Sequence, residues 1–212
     1  MSNPTSRNDF NDTWLSEMPS GLGSFEAYDG LIYSIKDLKK TGIAPNEISK
    51  GVYKIDLNTS VYYWFEKDQN ILLGTQLEKK PQGLVVSITG KHPSLRGSPP
   101  YASELYDLIL KDSGKNIRIL SDTQLSDQGY AIWKQLFSKG HKVGVYNNTQ
   151  PGQSFKIFQT QDEMNNYFKD DDTDYEKYQF VLIENSIIAE CLSNFNIRRY
   201  RELSGLSLKD NI

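Results

Sequence analysis

Residues 25–40 carry apolar side chains at helical spacing. The apolar positions follow one another at intervals of three and four, and Gly42 comes after them. This periodicity predicts an amphipathic helix that ends before Gly42. Ser24 is the expected N-cap, and Glu26 suits the positive end of the helix dipole. The apolar stripe consists of Phe25, Tyr28, Leu31, Ile32, Ile35 and Leu38.

From residue 51 the period of the pattern changes to two. Apolar residues alternate with polar ones or form short runs, and short segments rich in Asn, Asp, Gln and Gly separate these runs. Such a pattern is typical of β-strands, and short connections usually join antiparallel neighbours. We predict a meander of four antiparallel strands, at residues 52–57, 61–65, 71–75 and 84–88.

A loop rich in glycine and proline follows this meander, and a helical pattern follows the loop. Ser98 is the expected N-cap of the helix, Pro99 its first residue and Gly114 its end. The predicted buried stripe is Tyr101, Leu105, Leu108 and Ile109. A helix N-terminus beside a sheet is a common position for an anionic ligand.

The rest of the pattern continues the alternation of strands and helices. Residues 117–120 form a short apolar run, and a second helix is predicted from Thr123 or Ser126 to Lys139, with Gly140 as its terminator. Both helices are expected to lie on the sheet. Further strands are predicted at residues 143–146, 155–158 and 180–183, and a short helix at residues 161–168.

The two ends of the chain differ from this middle part. Residues 1–24 are rich in Ser, Asn, Asp, Pro and Gly, which favours an extended N-terminal arm. Residues 186–212 carry apolar side chains at helical spacing and predict a C-terminal helical tail. The expected architecture is therefore an α/β domain at residues 25–185, with a central, mostly antiparallel sheet flanked by helices.

Composition narrows the classes of function. The chain has 212 residues, 37% of them hydrophobic, and a net charge of -3, so one polar domain without a bias toward nucleic acid is expected. Cys191 is the single cysteine, which excludes an intrachain disulfide and suits a reducing compartment. We expect no membrane span and no signal peptide, because the sequence lacks a run of about 18 apolar residues and a basic, apolar start. These features predict a cytoplasmic protein.

The order of elements over roughly residues 50–185 resembles the acetyl-CoA-dependent N-acetyltransferases of the GNAT superfamily. Antiparallel strands, a central strand, a loop with a helix, a strand and a second helix follow one another in both. The second helix reads AIWKQL at residues 131–136 before Gly140, which is similar to the family's Ala-x-x-Leu-Tyr-x-x-x-Gly-Phe region. The phrase LSDTQLSDQGYAIWKQLFSKGHKV resembles GNAT-like proteins of tailed bacteriophages.

The resemblance implies a site for acetyl-CoA. The family's motif, Arg/Gln-x-x-Gly-x-Gly/Ala, presents backbone N–H groups to the pyrophosphate. Here Pro99 and Tyr101 stand at its two glycine positions. The residues expected to form a reduced phosphate site are Arg96, Gly97, Ser98 and Ala102.

The resemblance also assigns two catalytic roles whose usual residues are missing from this sequence. Trp133 stands where the family often has a tyrosine that protonates the leaving thiolate, and an indole cannot act as an acid. The central strand lacks the usual carboxylate base, since residues 85–89 include no acid. Tyr130 and Asp122 are the candidates that remain for these roles.

Metal sites and other chemistry have weaker patterns. His92 and His141 are the only histidines, and no motif completes a ligand set with them. The acidic run of residues 170–174 lacks the spacing of a calcium loop. His92 begins a His-x-Ser sequence of the kind found in two-histidine phosphoesterases, but His141 does not repeat it. No metal cofactor is expected.

Two functions of different classes remain open. The first is an acyl-CoA-dependent N-acyltransferase. The second is a non-catalytic, GNAT-derived structural or accessory protein of a phage particle, which would act by contact in the host cytoplasm or in the virion. For the second, protein partners are expected at residues 1–24 and 187–212, and neither function requires nucleic acid or a membrane.

Overall fold

The computed structural model describes residues 24–114, 117–123, 125–149, 155–168 and 177–183. The predicted tail at residues 186–212 lies outside these ranges, as do the acidic run at residues 170–174 and all of the predicted arm except Ser24. Across the described ranges, no helix is both long enough and apolar enough to cross a bilayer.

The described chain contains helices, strands and one 3-10 turn. The helices are α1 (Ser24–Lys40), α2 (Ala102–Ser113), α3 (Asp127–Ser138) and α4 (Gln161–Asn165), and the 3-10 turn is Pro93–Leu95. The strands are β1 (Asn46–Ser49), β2 (Val52–Asp56), β3 (Ser60–Lys67), β4 (Asn70–Lys80), β5 (Gly83–Lys91), β6 (Arg118–Leu120), β7 (Lys142–Asn147), β8 (Lys156–Ile157) and β9 (Tyr178–Ile183).

All nine described strands form one sheet. Their order is β1-β2-β3-β4-β5-β6-β9-β7-β8. Every neighbouring pair is antiparallel except β5 and β6, which are parallel and connected through α2. This confirms the predicted α/β architecture, with its mostly antiparallel mixed sheet, and the meander of β2 to β5.

Helices α2 and α3 pack side by side on one face of the sheet, as their apolar stripes predict. Leu105 and Ile109 of α2 and Leu136 of α3 have no exposed surface, and Trp133 is 2% exposed. They form one hydrophobic cluster with strands from β2 to β9. The predicted stripe of α2 was wrong in part, because Tyr101 and Leu108 are only half-buried whereas Tyr106 is buried. Tyr130 of α3 is buried as well.

Helix α1 packs on the opposite face, directly over two glycines. Gly74 of β4 and Gly90 of β5 lie opposite each other in the ladder. A Cβ atom on Gly90 would lie 2.5 Å from the Cα atom of Tyr28, and one on Gly74 would lie 2.9 Å from Leu31 Cδ2. Only glycine permits so close an approach of helix to sheet.

Two elements differ from the sequence-based expectation. Strand β1 was not predicted, because its sequence NEIS contains a single apolar residue and shows no period. Helix α2 begins at Ala102 rather than at Pro99, and its N-cap is Tyr101 rather than Ser98. Since a residue that precedes proline avoids the helical region, Pro100 keeps Pro99 out of the helix.

An ion pair fastens α1 to β3. Glu66 Oε2 accepts hydrogen bonds from Lys39 Nζ at 2.8 Å and from Trp64 Nε1 at 2.7 Å. The same ammonium lies 5.1 Å from the centre of the Trp64 ring. Burial acts to raise the pKa of Glu66, but the two hydrogen bonds and the charge of Lys39 outweigh it, so the pKa is lowered from its ordinary 4.5.

We expect Glu66→Gln to destabilise the fold by about 1–2 kcal/mol at pH 7, because it removes a charge-assisted hydrogen bond. A carboxyl group with a lowered folded pKa stabilises the fold above its unfolded pKa and loses this effect as pH falls through the folded value. The difference from wild type should therefore narrow below pH 4.5. Urea unfolding at pH 7 and pH 3 measures it, with Glu78→Gln as control, because the ion pair of Glu78 with Lys80 is exposed and contributes little. An equal difference at both pH values contradicts the assignment.

Candidate functional site

The strands β5 and β6 separate soon after they begin. They pair only at Leu84 with Ile119 and at Val85 with Leu120. Strand β6 then ends, while β5 continues to Lys91 along β4. In that ladder Gln76 pairs with Ile88 and Leu77 with Val86, which leaves Ser87 as a bulge. We call the region where β5 continues beyond the end of β6, bounded by residues 86–91 and residues 121–122, the β5–β6 cleft.

The base of the cleft is Asp122, which follows β6, and its neighbour Ser121 is tied to β9. The Ser121 N–H donates to the Phe180 carbonyl at 2.8 Å, and Ser121 Oγ accepts from the Phe180 N–H at 3.0 Å. Gln179 Nε2 donates to the Ser121 carbonyl at 2.7 Å. Because Ser121 and Gln179 are both buried, these bonds fix the backbone that carries Asp122.

A row of aromatic rings spans the helix-covered face behind the cleft. The Tyr106 ring of α2 lies 6.2 Å from the Trp133 ring of α3, and that ring lies 6.1 Å from Phe180 of β9. Trp133 is thus a core residue, at the position where the resemblance places a catalytic tyrosine. An indole N–H does not titrate, so this position supplies no acid.

A chain of hydroxyl groups crosses from β4 to α2 beside the cleft. Thr75 Oγ1 lies 2.9 Å from Thr89 Oγ1, which lies 2.8 Å from the Tyr106 hydroxyl. Burial raises the pKa of Tyr106 to about 12; its hydrogen bond with Thr89 opposes the rise, and the negative charge of Asp122 adds to it. Tyr106 is therefore a neutral phenol at physiological pH.

The loop of residues 92–101, between β5 and α2, lies at the end of the cleft that we call its mouth. Several backbone N–H groups of this loop already donate hydrogen bonds to acceptors in the chain. The Arg96 N–H donates to the Pro93 carbonyl at 3.4 Å, and the Ser98 N–H donates to the Leu95 carbonyl at 3.0 Å. The Tyr101 N–H donates to Glu104 Oε2 at 2.9 Å, so a carboxylate of the chain itself caps α2. In the first turn of α2, the Glu104 N–H donates to the Tyr101 carbonyl at 3.0 Å, and the N–H groups of Ala102 and Ser103 have no acceptor within the helix.

Two lysines flank the ring of Tyr101 at the same mouth. Lys91 Nζ lies 5.0 Å from the ring centre and donates to the Ser98 carbonyl. Lys139 Nζ lies 5.9 Å from the ring and donates to Ser103 Oγ at 2.8 Å. Burial lowers the pKa of Lys91, and Glu104 opposes the change. The mouth is therefore cationic, apart from Glu104.

The residues predicted to hold cofactor phosphates all lie at this mouth. Arg96, Gly97 and Ser98 are exposed in the loop, and Ala102 is the first residue of α2. Gly97 has a φ of +73°, where glycine is favoured, and its carbonyl accepts from the Tyr101 hydroxyl at 3.3 Å. Sequence reasoning missed Lys139, because only the packing of α3 against α2 brings it here.

The two predicted catalytic residues lie in different surroundings. Asp122 lies at the base of the cleft, whereas the Tyr130 hydroxyl donates to Asn165 Oδ1 of α4 at 2.6 Å. The Tyr130 ring stacks on Phe168 with centroids 4.0 Å apart. Burial raises the pKa of Tyr130, and Gln161 offsets part of the rise. Tyr130 therefore joins α3 to α4, and its proton is committed to Asn165.

The histidine in the loop has a local role. His92 Nδ1 lies 2.8 Å from Ser94 Oγ and accepts from the Ser94 N–H at 3.3 Å. Its ring meets the Tyr28 ring edge-on at 5.3 Å. Within the described ranges, no three His, Cys, Asp or Glu side chains come together as a metal site. His92 thus helps to seat the loop on α1.

Comparisons with known proteins yielded no relative: no family model, no curated protein and no solved structure matches this chain. The resemblance to the N-acetyltransferases therefore rests on the order of elements and remains a prediction. Function has to be argued from the cleft itself.

We expect Tyr130→Phe to lower the free energy of unfolding by about 1 kcal/mol, because Asn165 loses the hydroxyl donor. Chemical denaturation monitored by circular dichroism measures the loss. The control is Tyr33→Phe, whose ring is 65% exposed and should tolerate the change without effect. Equal stability of the two variants would show that the hydrogen bond from the Tyr130 hydroxyl to Asn165 does not stabilise the contact between α3 and α4.

Proposed function

We propose that this protein binds an acyl-coenzyme A in the β5–β6 cleft and transfers its acyl group to an amine. The observation that carries the proposal is the parallel pair that opens beside the bulge at Ser87, with the N-terminus of α2 at the opening. Ligands of open α/β sheets bind beyond the carboxyl ends of parallel strands. The position of the cleft supports this assignment.

Side-chain cations fit the phosphates of such a cofactor. Lys91 and Lys139 flank the mouth, and Arg96 lies in the same loop. The first-turn N–H groups at Ala102 and Ser103 add the positive end of the α2 dipole. These groups compensate for donors that the loop lacks at Pro99 and Pro100. The bound cofactor would supply an activated acyl thioester.

The strand β5 offers a second kind of contact. Beyond Val85 its edge no longer pairs with β6, so the backbone N–H and C=O groups on that side face the cleft. An extended ligand can hydrogen-bond to such an edge as a neighbouring strand does. A flexible ligand that contains several amide groups can form such hydrogen bonds with the edge of β5.

Asp122 is the residue that we assign to the acceptor amine. Its carboxylate lies at the carboxyl end of β6, and the bonds from β9 to Ser121 hold its backbone in place. We assign to it the proton that the ammonium group of the acceptor must lose. The amide C–N bond would then form as the thioester C–S bond breaks, and the released thiolate would take a proton from water. Tyr130 has no part in this step, because its hydroxyl donates to Asn165.

We expect isothermal titration calorimetry to detect acetyl-CoA binding, and we expect Lys91→Ala and Lys139→Ala to weaken it about five- to tenfold each. Arg96→Ala should weaken it in the same way. Glu104→Gln should strengthen it, since a carboxylate near the phosphates is removed. Lys134→Ala is the matched control, because Lys134 lies over the Tyr130 ring instead. Absence of heat at millimolar acetyl-CoA contradicts the proposal.

A non-catalytic protein of the same fold is the second function that we propose. It is favoured by the Glu104 carboxylate, which already occupies the Tyr101 N–H, and by Trp133, which is packed in the core. In this case the protein acts by contact with other proteins, as a component or accessory factor of a phage particle. Of the predicted contact segments, residues 1–24 include one described residue, Ser24, and residues 187–212 lie outside the described ranges.

For this second function we expect Arg96→Ala and Lys139→Ala to have no effect on the binding of the protein to the phage particle. Removal of residues 1–23 or 187–212 should instead abolish co-sedimentation with the particle while the domain stays folded. Sedimentation of wild-type and truncated protein, with circular dichroism of each, makes the comparison. Normal assembly by both truncated proteins would exclude these segments as contacts.

A further inference from the structure

An apolar band crosses the sheet on the same face as α1, but beside that helix. Side chains alternate between the two faces along a strand, so Val181 and Ile183 of β9 lie opposite to Phe180 and Leu182, which belong to the cluster under α2 and α3. The ladders align one row of residues across β5, β6, β9, β7 and β8. We call this row the apolar band, and it consists of Val85, Leu120, Val181, Gly144 and Ile157.

The middle of the apolar band is almost completely removed from solvent. Leu120 and Val181 are each 1% exposed, and the neighbouring Ile183 is 2% exposed. The side chains of an uncovered sheet face stand out toward water, so burial of this degree requires a second layer over the sheet.

The described helices do not supply this layer. Helix α1 packs with residues of β2, β3 and β4, whereas α2, α3 and α4 contribute to the cluster on the opposite face. At one end of the band the Arg118 guanidinium lies 4.8 Å from the Phe155 ring, and both side chains are half-buried. One ring and one guanidinium are too small to cover several strands. The rest of the layer must come from chain outside the described ranges.

The sequence of residues 187–195 has the pattern that such a layer requires. Its apolar residues recur at intervals of one, three and four, which places them on one side of a helix. A helix of this length is about 13 Å long, and the adjacent strands β6, β9 and β7 span about 10 Å. The apolar residues are Ile187, Ile188, Cys191, Leu192 and Phe195.

The connection to β9 brings this segment to the apolar band. Strand β9 ends at Ile183, beside the band, and only residues 184–186 separate it from the apolar stretch. Connections of about two to six residues commonly join a strand to a helix that packs on it. Ser186 is also a suitable N-cap for a helix that begins at Ile187.

The other segments outside the described ranges fit the apolar band less well. Residues 150–154 are polar apart from Pro151, and residues 169–176 are mostly acidic. The N-terminal arm has apolar residues, but it continues into α1, whose Tyr28 lies against Gly90. Gly90 is about 16 Å along β5 from Val85, so the arm enters this face far from the band.

We propose that residues 187–195 form an amphipathic helix that covers the apolar band, with the side that carries Cys191 against β6, β9 and β7. The inference depends on neither of the proposed functions. It has a consequence for the second one, because the apolar side of this segment is then used within the chain. A partner protein would meet the residues that follow, which include Arg198, Arg199 and Arg201.

The single cysteine reports on this packing in the full-length protein. Ellman's reagent reacts with an accessible thiolate, so the rate of reaction measures the exposure of Cys191. We expect Cys191 to react about a hundredfold more slowly in the native protein than in urea. The matched control is Ser193→Cys in a Cys191→Ser background. Position 193 lies on the opposite side of the helix, so its thiol should react at about the same rate in both states.

A second pair of variants tests whether the apolar band is what protects Cys191. Val181→Ala removes two methyl groups under the proposed helix, and we expect Cys191 to react about tenfold faster in this variant. Val143→Ala is the matched control. Val143 lies in the adjacent strand β7 and has no exposed surface, but it belongs to the cluster on the opposite face. This variant should leave the rate of Cys191 unchanged.

Several results would overturn the inference. Equal rates at positions 191 and 193, or equal effects of Val181→Ala and Val143→Ala, contradict it. Fast reaction of Cys191 together with protection of Leu15→Cys in the Cys191→Ser background would assign the layer to the N-terminal arm. Protection that is lost on dilution would assign it to a second copy of the chain. If Val181→Ala does not fold, the comparison of positions 191 and 193 decides.

Discussion

The position of β5 governs the rest of this structure. The strand pairs with β4 along nearly its whole length, and α1 lies so close beneath it that Gly90 has no room for a side chain. On the other face Thr89 is hydrogen-bonded to Tyr106 of α2. Strand β5 is thus held from both faces, and it pairs with β6 over only two positions because β6 ends at Leu120. The cleft therefore follows from the different lengths of β5 and β6.

The end of β6 is hydrogen-bonded to β9. Ser121 exchanges backbone and side-chain hydrogen bonds with Phe180, and Gln179 satisfies its carbonyl. Because these groups are buried, breaking them would leave unpaired polar atoms, which is costly. Hydrogen bonds to β9 therefore hold the carboxyl end of β6, whereas pairing with β4 and packing against α1 hold β5. Two halves of one sheet meet at the cleft, and the hydrogen bonds of Ser121 hold the backbone next to Asp122.

The sequence predicted most of the regular elements, since periodicity reports burial and burial determines the faces of helices and strands. The prediction from sequence failed where a proline, a capping side chain or a lack of apolar residues outweighs the hydrophobic periodicity. Pro100 and the Glu104 carboxylate shift the start of α2 to Ala102, and β1 has too few apolar residues to show a period. Lys139 reaches the mouth only through the contact between α2 and α3. The residues next to Lys139 in the sequence do not indicate this contact.

The candidate site shows the same division. Asp122 was predicted because it follows an apolar strand, and the carboxyl ends of strands are common places for function. Tyr106 was not, because a tyrosine in an amphipathic helix looks like a core residue, and by burial it is one. Its chemistry depends on the Ile88 carbonyl, two hydroxyl groups away, which fixes where each proton goes. The bonds that hold β5 in place thus also fix which hydroxyl group donates each proton, so the packing of β5 and the hydrogen-bonding state of Tyr106 depend on one network.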